Sequence, residues 1–412
     1  MHLILHLLSP PLAPMAVVVD PIYDARRAQP FAPTSVRFSD IQAAIPPHLR
    51  SKRLGRSLIY IARDLAFSAL LYYAAGYINS EALLAAPPLT RGTLWVFYWY
   101  WQSIAWAGFW CLAHEAGHGN LSEYYEANYT IGFVLHSFLL VPHFAWRYTH
   151  YMHHKFTNSL ERDENFVPPT RSELKLPEES KATPMDYTEL LEDAPLFVLI
   201  RLVFMQLLGW HSYIFYNAMG SRAYPKGTNH FSPMSPLFRP KDRHLIILSD
   251  VGVLIMSLVL IQWSRTSGFL NVVKLYFIPY LITNHWIVML TYLQHSDPTI
   301  PHYRSGEWNW LRGALATVDR PLLGWVGRFF LHNISHDHVA HHLFPNIPFY
   351  NQPEVTNAIK PILKDDYNYD STNTFYALYR TFYRCMFVED SGGILFYKDR
   401  KGQAMRAVKS DI

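Results

Sequence analysis

The stretch TLWVFYWYWQSIAWAGFWCLAHEAGHGN, residues 93–120, decides the fold because an uncharged segment leads directly into a pair of histidines. From Thr93 to Ala113 no side chain is charged, and Gln102 is the most polar one. At about 1.5 Å per residue, a helix of this length spans the roughly 30 Å hydrocarbon core of a bilayer. The segment therefore predicts a membrane-crossing helix that ends immediately before His114.

The remainder of the chain indicates an all-α, polytopic membrane protein. Half of its 412 residues are hydrophobic and gather into long runs with few charges. These runs predict about four crossings, near residues 57–78, 92–113, 245–264 and 273–294. A basic cluster before the first crossing, Arg50, Lys52, Arg53 and Arg56, indicates that the N-terminal side is cytosolic. The predicted parts are a cytosolic tail, a membrane domain and a C-terminal tail, at residues 1–56, 57–400 and 401–412.

Several classes of protein are disfavoured by composition. A net charge of +4 gives no indication of a nucleic-acid partner. The two cysteines, Cys111 and Cys385, are too few and too far apart in sequence for a disulfide framework. The apolar start, MHLILHLLSPPLAP (1–14), has no basic beginning and runs into prolines, which disfavours a cleaved signal peptide.

The spacing of the histidines points to a metal site. By composition, H-x-x-x-H occurs roughly once in such a chain, so His114 and His118 alone carry little weight. The pattern H-x-x-H-H is expected only roughly 0.05 times, yet it occurs twice. The two triplets are HYMHH and HVAHH, which contain His150, His153, His154 and His338, His341, His342.

On a helix, histidines at these spacings share one face and can point to a common centre. Eight imidazoles exceed the four ligands of a closed zinc site and are enough for two metals. Imidazole is compatible with zinc, copper, nickel and iron, so the ligand type does not select the metal. The spacing therefore predicts a binuclear site and leaves the identity of its metal open.

Two apolar segments, 129–146 and 195–218, complicate the count of crossings. The first is short, and the second carries Arg201, Gln206 and His211. For the three histidine motifs to meet, an even number of crossings must separate each from the next. We therefore expect both segments to lie in the membrane interface, so that all motifs face the cytosol beneath a helical cap.

The three boxes HEAGH, HYMHH and HVAHH, in this order and with two crossings between the second and third, resemble the integral-membrane fatty acid desaturases. The likeness extends to TYLQHSDP (291–298) and WNWLRGALATVDR (308–320), and it is greatest to the delta-12 (oleate) desaturases of fungi and plants. It covers roughly residues 35–400. The resemblance implies two iron ions bound by nine histidines, of which the ninth, His295, is assigned by its position after the fourth crossing.

The resemblance also implies the reaction and its partners. The irons and O2 would remove two hydrogens from neighbouring methylenes of an acyl lipid or acyl-CoA and leave a cis double bond. Electrons would come from NADH through cytochrome b5 reductase and cytochrome b5, at the cytosolic face of the endoplasmic reticulum membrane. Glu115 and Asp163 are predicted to hold imidazoles by accepting their outer N–H protons.

Other functions stay open at this point. In a zinc protease His114 and His118 would bind zinc and Glu115 would act as the base, but Leu121 and Tyr124 stand where the extended motif needs Gly and His. A membrane metal transporter is the alternative without catalysis. Within the resemblance, an omega-3 or bifunctional desaturase, a hydroxylase and an acetylenase use the same boxes.

Overall fold

The structure is a computed structural model, and it describes residues 20–191 and 194–409. The apolar start at residues 1–14 lies outside the described residues. Within them the chain is mostly helical, with a single two-stranded antiparallel sheet between His302–Tyr303 (β1) and Ile394–Leu395 (β2). The all-α prediction is confirmed.

The helices fall into two groups, long ones that pack as a bundle and short ones, several of which pack together in a second core. The helices up to the second histidine box are α1 (Pro21–Ala28), α2 (Phe38–Ala43), α3 (Leu54–Tyr77), α4 (Glu81–Leu84), α5 (Pro88–Gly117), α6 (Tyr125–Phe138) and α7 (His143–Phe156). The helices that follow as far as His295 are α8 (Pro184–Leu191), α9 (Pro195–Tyr216), α10 (Arg243–Ser267), α11 (Phe269–Val272) and α12 (Ile278–His295), with a π-helical turn at Val273–Phe277. The last helices are α13 (Trp310–Leu315), α14 (Trp325–Phe330), α15 (His338–Leu343), α16 (Gln352–Leu363) and α17 (Thr374–Arg384).

Helix α5 is the centre of the bundle and packs against α3, α6 and α12. Residues 102–116 of α5 are buried on every side. Small residues allow this close packing: at Gly108 a Cβ atom would lie 2.6 Å from the Phe330 carbonyl oxygen and 3.0 Å from Asp64 Oδ2. The helix predicted at 92–113 extends from Pro88 to Gly117, so its last turn contains His114.

Four helices of the described residues are long and apolar enough to cross a membrane: Leu54–Tyr77, Pro195–Tyr216, Pro240–Ser267 and Phe269–His295. Three of them coincide with predicted crossings. Helix α5 is not in this set, because its aromatic run of Trp and Tyr is less hydrophobic than aliphatic side chains. Helix α9 is in the set, so its length and composition fit a crossing, and its predicted position in the interface stays a prediction.

Helices α6 and α7 form a bent pair, with an angle of 109° between them at the break after Phe138. Leu140 in the break has a positive φ of 55°, a conformation that reverses the chain direction within a few residues. Because of this bend, the segment predicted at 129–146 is a helical hairpin that brings α7 back towards α5.

The helices α2, α13, α15 and α16 share a core of their own, which we call the cap. Its buried side chains include Ile41, Leu315, Val339 and Ile359. Residues 20–56, predicted to be a tail, take part in this packing because Ile41 is fully buried there. The segment after residue 400 is also packed in part, since the Phe31 amide donates to the Ala407 carbonyl.

Candidate metal centre

The fold brings all nine predicted histidine ligands to the junction between the bundle and the cap. They lie at the end of α5 (His114, His118), in α7 (His150, His153, His154), at the last residue of α12 (His295) and in α15 (His338, His341, His342). Each comes from the end of a long helix or from a helix that faces such an end. The parts of the sequence that supply them are separated by up to 228 residues, so only the tertiary fold joins them.

Eight of the nine histidines form two groups. In site A, five histidines each offer one nitrogen, and all five nitrogens lie within 4.8 Å of one another: His114, His118, His150, His154 and His341. His118 Nε2 is 3.0 Å from His150 Nε2, which is in turn 3.0 Å from His154 Nε2. Site A thus combines ligands from boxes one, two and three.

Site B contains His153, His295 and His342, whose three nitrogens meet the same distance limit. His153 Nε2 lies 3.3 Å from His295 Nε2. The ninth histidine, His338, borders this group, with its Nε2 2.9 Å from His295 Nε2. The two sites are adjacent, because the rings of His154 and His342 stack with centroids 4.1 Å apart.

The donor set fits divalent metal ions. Six of the eight imidazoles of the two sites are nine-tenths or more buried. Burial lowers the pKa of the bordering His338 to about 3, so that its ring is neutral. The Nε2 atoms of His341 and His342 are buried and have no hydrogen-bond partner within the described residues. Nitrogen lone pairs that converge without a proton between them are costly unless a cation satisfies them. Each of the two groups therefore has a donor set that could hold a metal ion.

Two buried carboxylates lie beside the outer nitrogens of imidazoles in the sites. Asp163 Oδ1 lies 2.7 Å from His153 Nδ1, which places the ring proton on Nδ1 and leaves Nε2 free to bind metal. Glu115 Oε1 lies 3.2 Å from His114 Nδ1 and 3.7 Å from His341 Nδ1. Asp163 is within hydrogen-bond distance of its imidazole, whereas Glu115 Oε1 and His114 Nδ1 have no hydrogen-bond partner within the described residues, so the role predicted for Glu115 stays a prediction.

The surroundings of Glu115 disfavour the protease interpretation. Its side chain is fully buried, and Oε2 accepts hydrogen bonds from Asn120 Nδ2 at 3.0 Å and from the Phe349 amide at 3.2 Å. A general base must reach a water molecule at the metal. Here the carboxylate instead points at the outer nitrogens of two imidazoles.

An apolar cavity of about 300 Å³ reaches both sites from the bundle. Its wall includes five of the histidines: His114, His150, His153, His295 and His338. Much of the remaining wall comes from α9 and α12, with Phe204, Gly209 and Trp210 on one helix and Val288 and Leu290 on the other. The cavity is therefore suited to a hydrocarbon chain that passes beside the metal ligands.

Some contacts that support the site were not predicted from the sequence. Phe166 stacks on His295 with ring centroids 5.1 Å apart, and Trp146 stacks on His150 at 4.6 Å. Asp64 in α3 pairs with His332, with Oδ2 and Nε2 2.6 Å apart, and so joins the segment after α14 to the first long helix. The available signal was the Arg63–Asp64 pair at the entry to an apolar run, because a carboxylate there needs partners; Arg63 Nε donates to Asp64 at 2.8 Å.

Fold and site together define a helical membrane protein with two adjacent histidine groups, each able to hold a metal ion, beside an apolar cavity. The fatty acid desaturase family model matches residues 93–373. The chain is 42% identical over 364 residues to the delta(12) fatty acid desaturase of Mortierella isabellina, which covers 87% of this chain and 90% of that protein. The chain belongs to the fatty acid desaturase family, a class of oxidoreductases, as the resemblance of its histidine boxes predicted.

Two further relatives show how the family varies. The chain is 40% identical to a protein of Brassica juncea named omega-6 fatty acid desaturase, endoplasmic reticulum, over 88% of this chain and 91% of that one. It is also 40% identical to the oleoyl-12-hydroxylase of Ricinus communis, over 88% and 90%. Because the chain is equally identical to a desaturase and a hydroxylase, overall similarity does not by itself distinguish desaturation from hydroxylation.

Proposed function

We propose that the protein is a diiron delta-12 fatty acyl desaturase that converts an oleoyl chain to a linoleoyl chain. The observation that carries the proposal is the apolar cavity whose wall contains histidines of both site A and site B. Support for delta-12 selectivity comes from the 42% identical relative of that name. In the reaction, two C–H bonds break and one double bond forms, while O2 takes up the two hydrogens, two electrons and two further protons to give two waters.

Iron is the metal that fits this chemistry. Zinc has no redox chemistry, whereas two imidazole-ligated irons can supply the oxidising power needed to attack an unactivated methylene. Because the imidazole ligands are neutral, they would not compensate the positive charge of the ions that they bind. The chain's own contribution is to orient the imidazoles through Asp163 and Glu115 and to exclude water from the acyl chain.

We further propose that α9 lies in the membrane interface and that α3, α5, α10 and α12 cross. Site A joins box two, which precedes α9, to His341, which follows α12. Three crossings between them would place box three on the opposite face, so one of the helices α9, α10 and α12 does not cross. Helix α9 is the candidate because it carries Arg201 and His211.

The proposed partners follow from the location of the site. We place the protein in the endoplasmic reticulum membrane, a location that the name of the Brassica juncea relative supports, and we propose that both metal sites face the cytosol. Cytochrome b5, reduced by NADH-cytochrome b5 reductase, is the proposed electron donor. The acyl carrier, a membrane lipid or CoA, would lie outside the cavity while its chain lies within it.

Expression in a yeast that makes only monounsaturated fatty acids tests the proposed reaction. We expect gas chromatography of the methyl esters to show a new 18:2 acid with cis double bonds at carbons 9 and 12, because oleate is the abundant host substrate. A 15-unsaturated product would indicate an omega-3 or bifunctional desaturase, a triple bond would indicate an acetylenase, and a 12-hydroxy acid would indicate the reaction of the Ricinus communis relative. Absence of any new acid from an expressed, iron-loaded protein would overturn the proposal.

A further inference from the structure

Arg320 and Asp319 are buried side by side in the stretch that joins α13 to α14, and neither touches the metal sites or the cavity. Arg320 is 1% exposed and Asp319 is 0% exposed. A buried guanidinium is costly unless each of its donors has a partner, so the contacts of Arg320 reveal what it holds. These contacts reach two segments that carry predicted metal ligands.

The first set of contacts brackets His295. Arg320 Nε donates to the Leu293 carbonyl oxygen at 2.8 Å, two residues before His295. Its Nη2 pairs with Asp297, two residues after His295. The backbone adds a bond from the Val318 amide to the Gln294 carbonyl at 3.1 Å. The end of α12 is thus fixed on either side of its metal ligand.

The second set of contacts brackets His338, the start of box three. The Arg320 amide donates to the Ser335 carbonyl at 2.8 Å. Asp319 Oδ1 accepts from the Val339 amide at 2.7 Å, and Asp319 Oδ2 accepts from the Tyr367 hydroxyl. Residues 318–320 therefore tie the end of α12 to the beginning of α15.

A buried carboxylate completes the arrangement. Asp370 pairs with Arg320 and also with Arg380, and its amide donates to the Asp319 carbonyl at 3.0 Å. Three donors of one planar guanidinium thus reach three separate acceptors: Leu293, Asp297 and Asp370. A lysine ammonium cannot span these positions, since its three protons surround a single nitrogen.

We propose that Arg320, supported by Asp319, is a positioning residue that keeps His295 in place so that site B can bind its metal. This inference rests on the proposed diiron function. Site B depends on α12 for His295, whereas site A takes no ligand from that helix. Loss of the Arg320 side chain should therefore weaken site B and leave site A occupied.

The test compares Arg320→Gln with wild type, both purified as full-length protein in detergent, by iron content per chain and by Mössbauer spectroscopy. We expect iron to fall from about two per chain to about one, because groups that hold metal ligands typically contribute about 10–100-fold in affinity. The Mössbauer spectrum should lose one component and keep the other. Thermal unfolding of each variant is measured alongside.

Arg171→Gln is the matched control. Arg171 is equally buried at 2% exposure and donates to both carboxylate oxygens of Glu389, but it contacts none of the histidine-bearing helices. It should keep about two irons despite the loss of its ion pair with Glu389. Equal iron loss in both variants would overturn the inference, since the loss would then follow from destabilisation alone.

Two further outcomes are decisive. Arg320→Gln with two irons and wild-type spectra would also overturn the inference. If Arg320→Gln does not accumulate, Arg320→Lys replaces it in the same assay. This variant keeps the buried positive charge but lacks the three-way hydrogen bonding, so it too should lose iron from site B.

A wild-type protein without iron would contradict the proposed function instead, so the failure of the inference and the failure of the proposed function are distinguishable.

Discussion

Replacing His341 with alanine is expected to abolish the new 18:2 product in the yeast assay. His341 belongs to site A, and its buried Nε2 has no hydrogen-bond partner within the described residues. Changes to groups that only hold metal ligands cost about 10–100-fold in metal affinity or activity, so loss of a ligand should cost at least about 100-fold. Product is measured by gas chromatography and normalised to the amount of protein in the membrane fraction.

His211→Ala serves as the matched control for His341→Ala. This variant also loses an imidazole, but His211 lies in α9, where its Nε2 is 3.0 Å from the Tyr280 hydroxyl, and it belongs to neither site. We expect this variant to keep product within about threefold of wild type, since one net hydrogen bond contributes only about 1 kcal/mol to stability. Full activity in His341→Ala would show that site A is not needed for catalysis.

The second large effect is expected from Gly209→Phe, which fills the apolar cavity. Gly209 lines the same cavity as the histidines, and a Cβ atom there would meet Met205 and Val288 at 3.5 Å, an ordinary contact. A phenylalanine ring would extend beyond that contact into the space proposed for the acyl chain. We expect desaturation to fall by more than about tenfold while iron content stays at the wild-type value, which separates loss of substrate binding from loss of metal.

Gly209→Ala is the control for steric blocking. Alanine adds only the Cβ atom, which fits, and it removes a glycine from the interior of α9, which favours the helix by about 1 kcal/mol. This variant should therefore keep near wild-type activity. If Gly209→Phe made as much 18:2 as Gly209→Ala, the cavity would not be the path of the acyl chain.

The sequence contained the main features of the site because histidine spacing is a local property. The two H-x-x-H-H triplets lie on single helices, α7 and α15, so their faces follow from helical periodicity. The requirement that the boxes share one face of the membrane then limited the count of crossings. His295 has no such partner in sequence, and only the family resemblance assigned it.

Other features could not be predicted because they depend on contacts between distant segments. Arg320 reaches Leu293, Asp297 and Asp370, and no sequence period relates these positions. The packing of residues 20–56 was also missed, since a few buried side chains such as Ile41 are scattered in a polar stretch. Helix α9 is the hardest case, because its composition fits a crossing and only the meeting of the boxes argues against one.

Metal analysis of the purified wild-type protein tests the binuclear centre most directly. With five histidines in site A and three in site B, bordered by His338, we expect about two iron ions per chain by inductively coupled plasma mass spectrometry. Mössbauer spectroscopy should show that both ions occupy histidine-rich environments. A single zinc ion per chain, with no iron, would contradict the diiron centre and the oxidation that it is proposed to perform.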